Sequence, residues 1–201
     1  LDGKSFYKTD DGRYYRMYIC IEGARTYTVV EKPEHFYNAA KAFGRFQKLL
    51  ADFPADKLHE TIKDFHNTPK RFADFEKAIT DNISGRADNV KKEIEFALKR
   101  KNIASVITDA MKDGSIPLRV THNDTKYNNI MIDDLTGNAV AVIDLDTVMP
   151  GSLLYDYGDS LRFGTNPVSE DEKNLDLVYC DLNLLECFTR VFIEEMSDKF
   201  T

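Results

Sequence analysis

A polar run followed at once by a predicted β-hairpin constrains the fold of this chain more than any other feature. The run covers residues 122–129, and two short apolar segments follow it at 130–132 and 139–143, with a glycine-containing turn between them. Apolar segments of this length on either side of a turn predict two paired strands. The polar run thus precedes the first strand and an acidic pair follows the second, so both can meet at one end of the hairpin.

The polar side chains around this hairpin suit phosphoryl transfer. They include four oxygen donors, Asp124, Asn129, Asp144 and Asp146. Carboxylate and amide oxygens are ligands that Mg²⁺ accepts together with phosphate oxygens. Phosphoryl transfer needs a carboxylate that takes the proton of the attacking hydroxyl, an Asn and a second Asp that hold the metal, and a cation that offsets charge. The pattern therefore predicts a phosphotransfer site.

The spacing within the polar run matches the catalytic loop of kinases. His122, Asp124, Lys126 and Asn129 follow the order His-x-Asp-x-Lys-x-x-Asn, with the Asn five residues after the Asp. The chain resembles the kinase-like superfamily, and within it the aminoglycoside phosphotransferase and choline kinase branch, because Asp144 lies in Ile-Asp-Leu-Asp rather than Asp-Phe-Gly. No Ala-Pro-Glu motif follows, which argues against a protein kinase.

Two longer stretches, residues 59–70 and 143–162, are similar to N-acetylhexosamine 1-kinases. This resemblance implies an enzyme that uses ATP and Mg²⁺ to phosphorylate an N-acetylhexosamine at its anomeric hydroxyl. Other acceptors of the same branch, namely choline, an aminoglycoside or homoserine, stay open as alternatives. A non-catalytic kinase-like module and a metal-dependent phosphohydrolase stay open as well, although the intact catalytic motifs favour an enzyme.

The resemblance implies a role for each polar residue of the loop and of the acidic pair. Asp124 is expected to act as the catalytic base, and Lys126 to neutralise the γ-phosphate. Asn129 and Asp144 are expected to bind Mg²⁺, and Asp146 to hold a second ion or a bound water.

Four more residues are expected to support the site or to contact the acceptor. His122 is expected to brace the loop rather than to react, and Asp156 to support the loop from the protein interior. Asp159 and Arg162 are candidates for sugar contact, since the Arg guanidinium presents a fixed fork of hydrogen-bond donors.

Helical and strand patterns surround the hairpin. Strands are predicted at 13–20, 24–30 and 117–121, and helices at 33–51, 71–80, 87–112, 153–163 and 171–199. With the resemblance, these elements imply an α+β, protein-kinase-like fold. Its mainly helical C-terminal lobe, residues 31–201, carries the catalytic hairpin, and residues 1–30 are a remnant of the N-terminal lobe strands and the hinge.

The glycine-rich loop and the strand Lys with which kinases bind phosphates have no counterpart upstream of residue 30. We therefore expect a C-terminal-lobe fragment that binds ATP weakly and turns over little by itself. Strands left without their sheet expose unpaired edges. Residues 1–30 are consequently expected to be reorganised or to pair with a second copy of the chain.

Charge and cysteine content exclude several classes of function. The formal net charge of −7 disfavours nucleic acid as a partner, because phosphate backbones require a basic footprint. No apolar stretch approaches the length that spans a bilayer, and the polar start does not read as a signal peptide. The three Cys lack metal-like spacing, which predicts reduced thiols in a cytoplasmic protein.

Overall fold

The computed structural model describes residues 3–197 as a mixture of α-helices, short strands and 3₁₀ turns. The helices are α1 (Pro33–Leu49), α2 (Thr68–Asp81), α3 (Lys91–Leu98), α4 (Val106–Lys112), α5 (Leu153–Gly164) and α6 (Leu182–Met196). The strands are β1 (Tyr7–Lys8), β2 (Tyr14–Tyr15), β3 (Ala24–Arg25), β4 (Arg119–Thr121), β5 (Ile130–Asp133), β6 (Ala139–Val142) and β7 (Met149–Gly151). This mixed content is compatible with part of a kinase-like fold. None of the helices within residues 3–197 combines the length and apolar character needed to cross a membrane.

The strands of the described residues form three small antiparallel sheets. The predicted hairpin is confirmed as β5 and β6, in which Ile130 pairs with Val142. Strand β3 adds to the free side of β5, and Arg25 makes a two-pronged ion pair with Asp134, at 2.5 and 3.0 Å. Strand β4, which leads into the polar run, pairs with β7. Both ends of the polar run are therefore attached to sheets.

Helices α1 and α6 pack against each other in the main core, and α1 contacts both strands of the hairpin. The ring of Phe36 in α1 lies 4.9 Å from that of Phe188 in α6, and Phe188 lies 5.7 Å from Phe192. Tilted and offset rings at such distances attract each other in addition to burying apolar area. Ile130 and Ile132 of β5 are fully buried in the same core. The packing of the two helices thus fixes the strand that follows the catalytic loop.

The predicted helix 87–112 is divided in the structure: a 3₁₀ turn at Ala87–Val90 precedes α3, and a side chain caps α3 at its C-terminal end. The guanidinium of Arg100 donates to the backbone oxygen of Phe96 at 2.9 Å, and its carbon lies 3.4 Å from the centroid of the Phe96 ring. Arg side chains near the C-terminus of a helix can bind its last free carbonyls. A 3₁₀ turn at Lys101–Ile103 then leads into α4.

The predicted helix 171–199 begins only at Leu182, so its first part was wrong. The carboxylate of Asp181 accepts hydrogen bonds from the backbone N–H groups of Asn183 and Leu184, at 2.9 and 3.2 Å. This is the geometry of an N-cap, which sets the first residue of a helix. Residues 166–181 are irregular instead, apart from a 3₁₀ turn at Leu175–Leu177. The predicted end at residue 199 lies outside the described residues.

The predicted strands 13–20 and 24–30 shrink to the two-residue strands β2 and β3. Met17 and Ile19 are 88% and 94% exposed. Within residues 3–197 no strand runs beside residues 16–21. Aromatic and β-branched residues favour a strand only where a neighbouring strand and a packed face are available, which explains the difference.

Candidate active site

One buried carboxylate from α5 holds the start of the catalytic loop. Asp156 is 1% exposed. Its Oδ2 accepts a hydrogen bond from the backbone N–H of His122 at 2.9 Å, and its Oδ1 accepts one from Asn123 at 2.7 Å. The side-chain amide of Gln47 in α1 donates to the same carboxylate. Burial raises the pKa of Asp156 to about 6, although these three donors act in the opposite direction. Asp156 therefore contacts the loop that it is predicted to support.

His122 joins the catalytic loop to the end of β6. Its ring is fully buried, with the rings of Phe43 and Phe46 of α1 packed edge-on against it at 6.0 and 5.8 Å. Nδ1 accepts a hydrogen bond from the backbone N–H of Asp124 at 3.3 Å, which leaves the proton on Nε2. Nε2 donates to the backbone oxygen of Ile143 at 2.9 Å. These contacts fit the predicted bracing role and leave neither ring nitrogen free to react.

Three polar residues that the sequence pattern does not single out complete this framework. Asn123 adopts a left-handed backbone with φ of 67°, a conformation that Asn tolerates better than most residues. Its amide nitrogen donates to the backbone oxygen of Thr147 at 2.9 Å, and the Thr147 hydroxyl donates to the oxygen of His122 at 2.7 Å. The hydroxyl of Thr125 donates to the backbone oxygen of Asp156. The loop is therefore fixed along its length by buried hydrogen bonds.

Asp124 and Asn129 face each other across the catalytic loop. The amide nitrogen of Asn129 donates to the backbone oxygen of Asp124 at 2.8 Å and to its carboxylate Oδ2 at 3.0 Å. Because the nitrogen is used in this way, the amide oxygen of Asn129 is the atom that can bind a cation. The side chain of Asp124 is 27% exposed, so an acceptor hydroxyl can reach it.

Asp144 lies beside the catalytic loop because both backbone groups of the preceding residue, Ile143, form hydrogen bonds with that loop. The N–H of Ile143 donates to the backbone oxygen of Asn129 at 2.9 Å, while its carbonyl accepts from His122. Asp144 itself is exposed and turns the chain with left-handed φ and ψ of 58° and 60°. The structure thus brings two of the three predicted metal ligands, Asn129 and Asp144, to the same end of the hairpin.

Asp146, the third predicted metal ligand, makes an ion pair with a residue that the sequence does not connect to the site. Its Oδ1 lies 2.5 Å from Nη2 of Arg16, and the carboxylate raises the pKa of that guanidinium. The hydroxyl of Thr61 donates to the backbone oxygen of Asp146 at 3.3 Å. Asp146 is exposed, and its role towards a metal stays a prediction.

A row of alternating charges runs from the catalytic loop to α5. Nζ of Lys126 lies 3.7 Å from Oδ1 of Asp124 and 3.4 Å from Oε2 of Glu170. Nη1 of Arg162 donates to Oε1 of Glu170 at 2.7 Å, and its Nη2 donates to Oδ1 of Asp159 at 2.9 Å. Partial burial opposes the charge of Lys126, but the two carboxylates hold its pKa above the usual range. The row links Asp159 and Arg162 to Lys126 through Glu170, which no sequence motif indicates.

The oxygen atoms of this site suit a magnesium ion that also binds water and phosphate. They do not form a metal site made of acidic side chains alone. Within residues 3–197 no three His, Cys, Asp or Glu side chains come together as a metal site. Mg²⁺ is commonly held by one or two carboxylates, with waters and substrate phosphates completing its shell. The carboxylate of Asp144 and the amide oxygen of Asn129 match that requirement.

The sequence model of the phosphotransferase enzyme family (APH) matches residues 6–182 of the chain. The chain belongs to this family. The membership agrees with the predicted aminoglycoside phosphotransferase and choline kinase-like branch. As a member of the phosphotransferase enzyme family, the chain is a kinase-type phosphotransferase that acts on small molecules. The matched range includes the whole catalytic loop, the hairpin and α5.

Proposed function

We propose that this chain is the catalytic lobe of a kinase that uses ATP and Mg²⁺ to phosphorylate an N-acetylhexosamine at its anomeric hydroxyl. Membership of the phosphotransferase enzyme family supports the phosphoryl transfer. The similarity of residues 59–70 and 143–162 to N-acetylhexosamine 1-kinases supports the acceptor. In this proposal residues 31–201 form the catalytic lobe, and residues 1–30 are strands and a hinge of the other lobe.

The observation that carries the proposal is the pair of hydrogen bonds from the Asn129 amide to Asp124. They turn one oxygen of the Asp124 carboxylate towards the metal ligand and leave the other for an acceptor hydroxyl. Lys126, at 3.7 Å from that second oxygen, adds a positive charge where a transferred phosphoryl group requires one. A base, a metal ligand and a cation thus converge on one short loop.

Each residue of the loop has a chemical task in this proposal. Asp124 orients the acceptor hydroxyl and accepts its proton as the new oxygen–phosphorus bond forms, while the bond from the γ-phosphorus to ADP breaks and ADP leaves. Lys126 offsets the negative charge on the transferred group. Asn129 and Asp144 would hold Mg²⁺, which when bound neutralises charge on the nucleotide phosphates.

A cavity beside α5 is the candidate position for the acceptor. Its volume is about 530 Å³, and Arg162, Asn166 and Glu170 are among its lining residues. The buried Oδ1 of Asn166, one of these lining residues, has no hydrogen-bond partner within the described residues. An unpaired buried acceptor is costly, and a hydroxyl group of a sugar would supply the missing donor.

The test is a kinase assay on the full-length gene product with ATP, Mg²⁺ and a panel of acceptors. The panel contains N-acetylglucosamine, N-acetylgalactosamine, choline, homoserine and an aminoglycoside. We expect ADP and a sugar 1-phosphate to form in equal amounts with an N-acetylhexosamine. Asp124→Asn is expected to lower kcat by roughly 10²- to 10⁴-fold, because it removes the general base.

Asp134→Asn is the matched control, since Asp134 lies at the far end of the hairpin and pairs with Arg25. Its kcat should equal that of the wild type. Turnover of choline, homoserine or the aminoglycoside alone would refute the sugar acceptor, and phosphate release without any acceptor would point to a phosphohydrolase. Equal kcat in the wild type and the Asp124→Asn variant would refute the assigned base.

A further inference from the structure

Glu170 connects the catalytic loop to α5 through both oxygens of one carboxylate. Oε1 accepts a hydrogen bond from Arg162 at 2.7 Å, while Oε2 lies 3.4 Å from Nζ of Lys126. The guanidinium of Arg162 is itself fixed by two contacts to Oδ1 of Asp159, at 2.9 and 3.2 Å. Glu170 is therefore held by an anchored Arg on one side and holds a Lys on the other.

The Lys126 ammonium needs such a partner in order to occupy a defined place. A Lys side chain is a flexible four-carbon stem with a strongly hydrated charge. Asp124 alone is a weak anchor, because its carboxylate lies 3.7 Å from Nζ and is also engaged by the amide of Asn129. Glu170 supplies the second and nearer carboxylate.

Hydrogen bonds order the segment that carries Glu170, residues 165–181. Its two ends meet where the backbone N–H of Asp181 donates to the oxygen of Thr165 at 2.9 Å. The turn that contains Glu170 is closed by the hydrogen bond from Glu172 N–H to the oxygen of Ser169 at 3.1 Å, and by the Ser169 hydroxyl, which donates to Asp171 at 2.8 Å. The segment is thus a closed loop, with Glu170 inside its ordered turn.

We propose that Glu170 is a positioning residue that holds Lys126 in place for phosphoryl transfer. This inference rests on the proposed function, in which Lys126 offsets charge on the transferred group. It assigns a role to a residue outside the catalytic motif. Ion pairs at the surface contribute little to stability, so the contribution of Glu170 is to the geometry of the site rather than to the fold.

The test replaces the carboxylate without changing its size, in the variant Glu170→Gln. The first measurement is the rate at which an N-hydroxysuccinimide ester acetylates Lys126 in the full-length protein, followed by peptide mass spectrometry. Release of the ammonium from Glu170 should make Lys126 react roughly two- to fivefold faster. The paired Lys77, which contacts Asp81 on α2, is the internal reference and should not change.

The second measurement separates positioning from a general loss of structure. The kcat of Glu170→Gln should fall roughly ten- to hundredfold, since small displacements of catalytic groups have effects of this size. The KM for ATP should stay within about twofold, because the variant leaves the proposed metal ligands untouched. Glu172→Gln is the matched control in the same turn. Its side chain accepts a hydrogen bond from Asn174 N–H at 2.7 Å, which Gln can also accept, so both readouts should stay at wild-type values.

Unchanged acetylation of Lys126 in Glu170→Gln, or a kcat equal to or above that of the wild type, would overturn the inference. A wild type that transfers phosphate to no acceptor would refute the proposed function instead. In that case the acetylation rate alone decides whether Glu170 holds Lys126.

Discussion

Asp156 combines deep burial with three N–H donors, and the balance between them predicts a pH dependence of stability. Burial raises the pKa of Asp156 to about 6 from an ordinary value of 3.8. The folded state therefore binds more protons than the unfolded state between pH 4 and pH 6. The contribution of this group to the free energy of unfolding is largest below pH 4 and is lost as the pH rises through 6. A difference of about two pKa units corresponds to about 3 kcal/mol.

The variant Asp156→Asn isolates this contribution because its side chain has nearly the same shape and does not titrate. The free energy of unfolding of the wild type, relative to that of the variant, should be higher at pH 4 than at pH 7 by about 2 kcal/mol, measured by urea unfolding. The carboxyl ¹³C shift of Asp156 in the wild type should titrate near pH 6 and needs no variant. A difference that is independent of pH, or a midpoint below 4, would contradict the assignment.

The residues of the site differ in how readily the sequence reveals them. His122, Asp124 and Asn129 stand at fixed spacing in one loop, and Asp144 follows a recognisable strand, so order along the chain is sufficient to predict them as site residues. Glu170 has no such signal. Its contact with Lys126 spans a loop of irregular structure, and only the folded chain brings the two together.

At Gly164, α5 packs closely against α1. We therefore expect one added methyl group at this position to have a strong effect on stability. A Cβ at Gly164 would lie 2.0 Å from an atom of the Phe36 ring, which sits in the main core. Gly164→Ala should therefore lower the free energy of unfolding by about 1–3 kcal/mol, the usual effect of overpacking. The measurement is thermal or urea unfolding.

Gly158 gives the matched control within the same helix. No atom lies within 4 Å of a Cβ at this position, and Ala is favoured over Gly inside a helix by about 1 kcal/mol. Gly158→Ala should thus raise stability while Gly164→Ala lowers it. Effects of the same sign in the two variants would show that helix propensity, and not the contact with Phe36, controls this helix.

Patterns in the sequence predict those elements whose bounds depend only on nearby residues. Helix α1 and the hairpin β5–β6 follow from apolar periodicity and a turn, and both appear close to their expected bounds. The start of α6 could not be predicted in this way, because it depends on the single cap at Asp181. That residue is in turn held by the backbone of Thr165, sixteen residues earlier.

At the scale of the whole molecule, the N-terminal segment combines an exposed apolar surface with an ion pair to the site. Tyr14, Met17, Tyr18 and Ile19 are all largely exposed. Arg16, in their midst, pairs with Asp146 just after the hairpin. The segment is therefore held next to the catalytic end of the hairpin while its apolar side chains face solvent.

Because this segment is exposed, we expect it to pair as a strand with the same segment of a second copy of the chain. Unpaired strand edges with apolar side chains favour such pairing, and a Lys on the edge prevents it. The double variant Met17→Lys with Ile19→Lys should shift the protein towards monomer in size-exclusion chromatography with light scattering over a range of concentrations. Ile83→Lys, at an equally exposed site after α2, is the control and should leave the association unchanged. A wild type that stays monomeric at every concentration would refute the pairing, and an equal effect of Ile83→Lys would show that added charge alone is responsible.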